Sequence, residues 1–178
     1  EDKCLKIERC LNFFYPKNKI KILNEKIYKE NINELIFSNI DQNQIDFLSI
    51  DIDGNDYWIL EKINTNRVNV ICSEYNPWLG SNSQKIMPYK KNFEYNNDYY
   101  FGASLLSYVN LLISKGFNLI AVETSGTNAF YINKKFSEYF EILSPENSFK
   151  EASRFHSGDE ILKIENYILK RDFIDLSI

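Results

Sequence analysis

Asp51 and Asp53, two residues apart and followed by Gly54, close the apolar run Ile45-Asp46-Phe47-Leu48-Ser49-Ile50. Glu74 and Asn76 repeat the spacing after a second run, Val68-Asn69-Val70-Ile71-Cys72-Ser73. Residues two apart on a strand point to the same face. The Asp51 and Asp53 carboxylates therefore repel one another unless a cation, a proton or a hydrogen-bond donor lies between them. With Glu74 and Asn76 they make an all-oxygen set of the kind that Mg, Mn or Ca accepts, and Asp51, Asp53 and Glu74 are its candidate metal ligands. The plainer alternative is that one of the two aspartates caps the next helix while Gly54 permits the turn.

These residues need a scaffold that brings them together, and the hydrophobic pattern supplies one. A helix is expected over 3–14, stopped by Pro16, then a strand over 19–23 and a helix over 31–39 with Asn31 and Glu34 as a capping pair. The runs 45–50 and 68–73, separated by helical spacing over 55–63, read as two parallel strands joined by a crossover helix. A helix over 104–115 ends at Gly116, and 117–122 and 127–132 are joined closely enough to form an antiparallel hairpin. The expected fold is α/β: a three-layer, Rossmann-like, mostly parallel sheet with a C-terminal antiparallel hairpin. Ligands of such sheets bind beyond the carboxyl ends of the strands. Asp51, Asp53, Glu74 and Asn76, the Gly102-Ala103-Ser104 helix start and the Ser125-Gly126-Thr127-Asn128 turn are all expected at that edge.

Between these elements, residues 77–101 form a long segment rich in Tyr, Asn and Lys that reads as a lid or binding loop, or as an insert without fixed structure. Its aromatic residues Tyr89, Phe93, Tyr95, Tyr99, Tyr100 and Phe101 can stack on a sugar or a base, or simply pack. Trp58 and Trp78 read as packing residues, and the single His156 as a surface residue. Residues 134–178 form an extension whose helix starts at a Ser157/Glu160 capping box. No repeat and no second core is visible, so the chain reads as one domain.

The chain has 178 residues, 44% hydrophobic and 26% charged, which suits a folded domain rather than a disordered one. Its net charge of −4 gives no positive field for a nucleic-acid backbone. No apolar run reaches the ~20 residues that cross a bilayer. The three cysteines, Cys4, Cys10 and Cys72, lack a CxxC spacing, which argues against structural zinc and for a reducing, cytoplasmic setting.

The run from Ile45 to Trp58, with Glu74-Tyr75-Asn76-Pro77, Gly102-Ala103-Ser104-Leu105 and Gly126-Thr127-Asn128-Ala129-Phe130, resembles the FkbM-like branch of class I S-adenosylmethionine-dependent methyltransferases over about residues 20–133. The resemblance implies a sheet of order 3-2-1-4-5-7-6, with 19–23 as the third strand, 45–50 the fourth, 68–73 the fifth and the hairpin the sixth and seventh. It implies S-adenosylmethionine as cofactor and O-methylation of a sugar or other hydroxylated acceptor, small molecule or glycan. Asp51 or Asp53 then serves as base or metal ligand, Glu74 and Asn76 orient the acceptor, and Ser104, Asn128 and Tyr100 contact it. Glu1 or Asp2 falls where the family holds the cofactor ribose. The family's first strand and Gly-rich loop have no counterpart, so the chain is expected to be the C-terminal part of a longer protein.

Three other readings compete. The apolar strand before Asp51-Ile52-Asp53-Gly54 also resembles the nucleophile motif of haloacid-dehalogenase phosphatases, with Mg as cofactor and Ser73 at the next strand end; no Lys motif supports it. A metal-dependent glycosyltransferase would use the same aspartate pair for a nucleotide sugar. The absent Gly-rich loop also suits a degenerate, non-catalytic binding module.

Overall fold

The computed structural model describes residues 3–14, 20–40, 43–151 and 156–177, with the side chains of Cys4 and Asn12 outside the described set. Helix α1 spans Lys3–Phe14 and buries none of its described side chains. A short helix, α2 (Ile32–Phe37), leads into strand β1 (Ile45–Ile50), helix α3 (Asp56–Lys62) and strand β2 (Val68–Glu74). The two strands pair in parallel, Ile45 beside Val68 and Ile50 beside Ser73. A single-turn 3-10 helix at Pro77–Leu79 and strand β3 (Lys85–Ile86) precede helix α4 (Leu105–Ser114) and the hairpin β4 (Phe117–Val122) and β5 (Asn128–Asn133). A 3-10 stretch at Lys134–Tyr139, helices α5 (Pro145–Ser148) and α6 (Gly158–Ile168) and strand β6 (Ile174–Asp175) close the chain.

The main sheet has the order β1-β2-β5-β4. Strand β5 is antiparallel to both neighbours, so β1, β2 and β4 run one way and β5 alone runs against them. The protein is α/β, with a mixed sheet and a small antiparallel pair, β3 with β6. Because β2 is interior and covered on both faces, its sequence is nearly continuous in apolar residues, and Val68 and Ile71 are fully buried. Helix α4 turns Leu105, Tyr108, Val109 and Leu112 into the same core as Ile59, Leu60 and Ile63 from the α3 region. Each such aliphatic side chain contributes about 1.5–3 kcal/mol of burial. Ser104 caps α4, its Oγ accepting the Ser107 N–H at 3.3 Å, and Gly116 stops it at φ 86°.

Two expectations fail. Residues 20–23 carry no strand, and Lys19 lies outside the described residues. Their alternation of exposed and half-buried side chains survives, but among the described residues no neighbouring strand pairs with them, and alternation without a ladder does not make a strand. Asn31 does not cap α2: its Oδ1 accepts the Tyr28 N–H at 2.8 Å, upstream of the helix it was expected to start. The Ser157/Glu160 box does form, the Ser157 N–H donating to Glu160 Oε2 at 2.8 Å. Among the described residues no helix is long and apolar enough to cross a membrane.

Candidate functional site

The turn after β1 is built by a carboxylate, but by neither Asp51 nor Asp53. Asp56, in the first turn of α3 and 1% exposed, accepts the Ile52 N–H through Oδ1 and the Gly54 N–H through Oδ2, both at 2.8 Å. Burial pushes its carboxyl above the ordinary range, and the backbone bonds pull it back. The Gly54 carbonyl accepts the Gly102 N–H at 3.0 Å, and Asn55 exchanges hydrogen bonds with the backbone of Lys90. Gly54 is required for close approach: a Cβ there would lie 2.3 Å from the Phe93 ring. With its turn pinned this way, the chain leaves Asp51 and Asp53 exposed, Asp53 in the left-handed region at φ 54°. Asp tolerates that conformation better than most residues.

Glu74 ends β2, half-buried and directly across from Asn128 on β5. One carboxylate oxygen from each of Asp51, Asp53 and Glu74 lies within 4.8 Å of the others, so the three could hold a metal ion. Desolvation, followed by the charges of Asp51, Asp56, Asp53 and Glu123, pushes the Glu74 carboxyl up to about 8. Either a proton on Glu74 or a cation between the three relieves this crowding.

The hairpin turn is organised by Glu123, whose Oε1 accepts from the hydroxyls of Ser125 and Thr127 and, at 3.0 Å, from Asn128 Nδ2. Those donors hold the Glu123 carboxyl below its ordinary value. The turn therefore brings Ser125 and Thr127 to the rim of a cleft of about 250 Å³ that Asp53 and Glu74 also line. The remaining wall is aromatic. Trp78 and Tyr99 meet edge to face at 5.5 Å, Tyr95 and Phe101 likewise at 5.5 Å, and the His156 ring stacks on Trp78 at 5.2 Å and 13°.

The expected site residues separate into two groups. Asp51, Asp53, Glu74 and Asn128 gather at the carboxyl ends of the strands. Asn76, Ser104 and Tyr100 lie nearby but face inward. Asn76 is fully buried, donating to the Tyr99 and Phe101 carbonyls and accepting the Trp78 N–H, so it fixes the aromatic wall. Ser104 Oγ donates to the Ser83 carbonyl, and the Tyr100 hydroxyl donates to the Asp172 carbonyl. Glu1 and Asp2 lie outside the described residues.

Segment 77–101 is packed rather than loose, Ile86 and Met87 being buried, and it supplies half of the residues that line the cleft. Trp58 does pack, its Nε1 donating to the Met87 carbonyl at 2.7 Å. Sequence reasoning missed Trp78 and His156 as cleft residues, and Asp56 and Glu123 as the groups that fix the two turns. For Asp56 a signal existed, an acidic residue in the first turn of a helix. His156 reaches Trp78 only through tertiary folding. No family model, curated protein or solved structure matches the chain.

Proposed function

We propose that the protein is an FkbM-like, S-adenosylmethionine-dependent methyltransferase acting on a hydroxyl group of a small-molecule or glycan acceptor. The observation that carries this reading is the strand order β1-β2-β5-β4 with β5 reversed. It coincides with the 4-5-7-6 half of the sheet that the sequence resemblance implies, and a Rossmann-like arrangement accounts for it.

The acidic lining agrees in sign with a sulfonium cofactor: Asp51 and Asp53 present negative charge at the strand ends, and among the described residues no Lys or Arg lines the cleft. When bound, that cofactor supplies an activated methyl group. With Glu74, these two are the residues that could hold Mg, Mn or Ca.

This chain's own residues position the acceptor and take its proton. Glu74 is the general base: it lines the cleft, and a carboxyl pushed up to about 8 is matched to proton transfer near neutral pH. Desolvation raises it most, and the negative potential of Asp51 and Asp53 adds to the rise. Ser125 and Thr127 offer hydroxyls at the rim, and Trp78, Tyr99 and Phe101 exclude water from the space where the acceptor lies. Asn76 and Asp56 hold those groups in place, which matters because displacement chemistry depends steeply on alignment. Calorimetry of the full-length protein with S-adenosylhomocysteine tests the reading: a saturable one-to-one isotherm is expected, and a flat one defeats it.

A further inference from the structure

An acceptor entering this cleft meets carboxyl groups, ring faces and the His156 imidazole stacked on Trp78, and among the described residues no Lys or Arg lines it. Asp53 and Glu74 line it directly, and Asp51, Asp56 and Glu123 add negative potential at Glu74. A phosphate or carboxylate on the acceptor would be repelled there. The rings favour the opposite charge. Trp78 with Tyr99 stand at 69° to one another and Tyr95 with Phe101 at 70°, two near-right-angled corners of the same cleft. Aromatic faces set at such angles next to carboxylates attract alkylated ammonium groups through their quadrupoles, while the walls bury the attached methylenes or methyls. A cleft of about 250 Å³ suits one such group better than an extended chain.

We infer that this cleft recognises an organic ammonium group carried by the acceptor, lodged among Trp78, Tyr95, Tyr99 and Phe101 with Asp53 answering its charge. The assignment to the acceptor rests on the methyltransferase reading; the preference for a cation rests on the cleft alone.

The test uses choline, whose charge is independent of pH, against its neutral isostere 3,3-dimethylbutan-1-ol. Binding to the full-length protein is followed by saturation-transfer NMR without cofactor. Choline is expected to bind about tenfold more tightly than the alcohol. Asp53→Asn keeps a side chain that accepts the left-handed backbone, and Tyr95→Leu removes one ring. Each should weaken choline roughly three- to tenfold and leave the alcohol nearly unchanged, with the circular dichroism of the protein unaltered. Equal affinities for the two probes, no detectable choline binding, or choline binding indifferent to both substitutions would overturn the inference. Repeating the titration under saturating S-adenosylhomocysteine separates the sources. Retained choline binding supports an acceptor subsite, whereas displacement overturns it by giving the cleft to the cofactor. Charge-selective choline binding beside a flat S-adenosylhomocysteine isotherm would sink the methyltransferase reading and leave the cation site standing.

Discussion

Glu74 couples the chemistry of the site to the stability of the fold. Its carboxyl loses water on folding and faces Asp51, Asp56, Asp53 and Glu123, so it keeps its proton to about pH 8 against an ordinary value of 4.5. Between those limits the folded state binds more protons at this position than the unfolded state does. Stability from Glu74 is therefore full below about pH 4.5 and is lost as pH rises through about 8. Glu74→Gln removes the ionisable group while preserving its shape. At pH 8.5 the variant is expected to be more stable by about 1 kcal/mol after allowance for solvent screening, roughly 3 °C in melting temperature, with no such gain at pH 4.5. Thermal melts at the two pH values check this, and a gain that is the same at both would contradict it. Catalysis should move the other way. In the wild type kcat/KM is expected to climb with pH and level off above about 8 as Glu74 loses its proton, and Glu74→Gln should lower it by about 10²–10⁴.

The β1–α3 turn shows how an element imposes its geometry on the site. Gly54 does not need a positive φ; what it needs is the absence of a Cβ, because the Phe93 ring lies 2.3 Å from where one would be. Gly54→Ala should therefore cost about 1–3 kcal/mol through overpacking rather than backbone strain. That distinction is measurable by urea denaturation of a double-mutant cycle: Phe93→Ala should be less destabilising in the Gly54→Ala background than alone. If the two effects simply add, contact with the ring is not the cause. The same turn shows what the sequence could reveal. Strands β1, β2, β4 and β5, helix α4 and the capping box of α6 were readable because their periodicity and turn residues agree with the local backbone, whereas the two-residue strands β3 and β6 were not. The gathering of Asp51, Asp53, Glu74 and Asn128 was readable too, since topology alone sends the ends of β1 and β2 and the start of β5 to one edge. Side-chain direction was not readable. Asn76 and Ser104 sit at the right edge but spend their polar atoms on backbone partners, and only tertiary packing decides that. The segment 20–23 failed for the related reason that a strand depends on a neighbour the local sequence does not contain.

Across the whole molecule, the C-terminal extension clasps the aromatic wall from outside. A second apolar cluster, separate from the core of the sheet, joins Leu79 to Ile164 and Ile168 of α6, with Trp78, Tyr99 and Phe173 packed on it. Strand β6 pairs with β3, Tyr167 Oη donates to Asp98 Oδ2 at 2.5 Å, and Arg171 Nη2 meets the same oxygen at 2.6 Å. The Arg171–Asp98 pair is partly exposed and contributes about 1 kcal/mol or less. Burial of Ile164 and Ile168, about 1.5–3 kcal/mol each, is the larger effect. The clasp should accordingly govern the order of the wall without governing the sheet. Deleting residues 157–178 is expected to speed amide exchange at least tenfold across 77–101, because Leu79 then loses its buried partners. Strands β1, β2, β4 and β5 should keep their protection, since their contacts lie in the other cluster. Hydrogen-exchange mass spectrometry resolves the two regions in one experiment. Arg171→Ala should change the same amides only slightly, which separates apolar docking from the ion pair. Unchanged exchange in 77–101 after the deletion would mean that Asn76 and the Gly54–Gly102 contact hold the wall unaided.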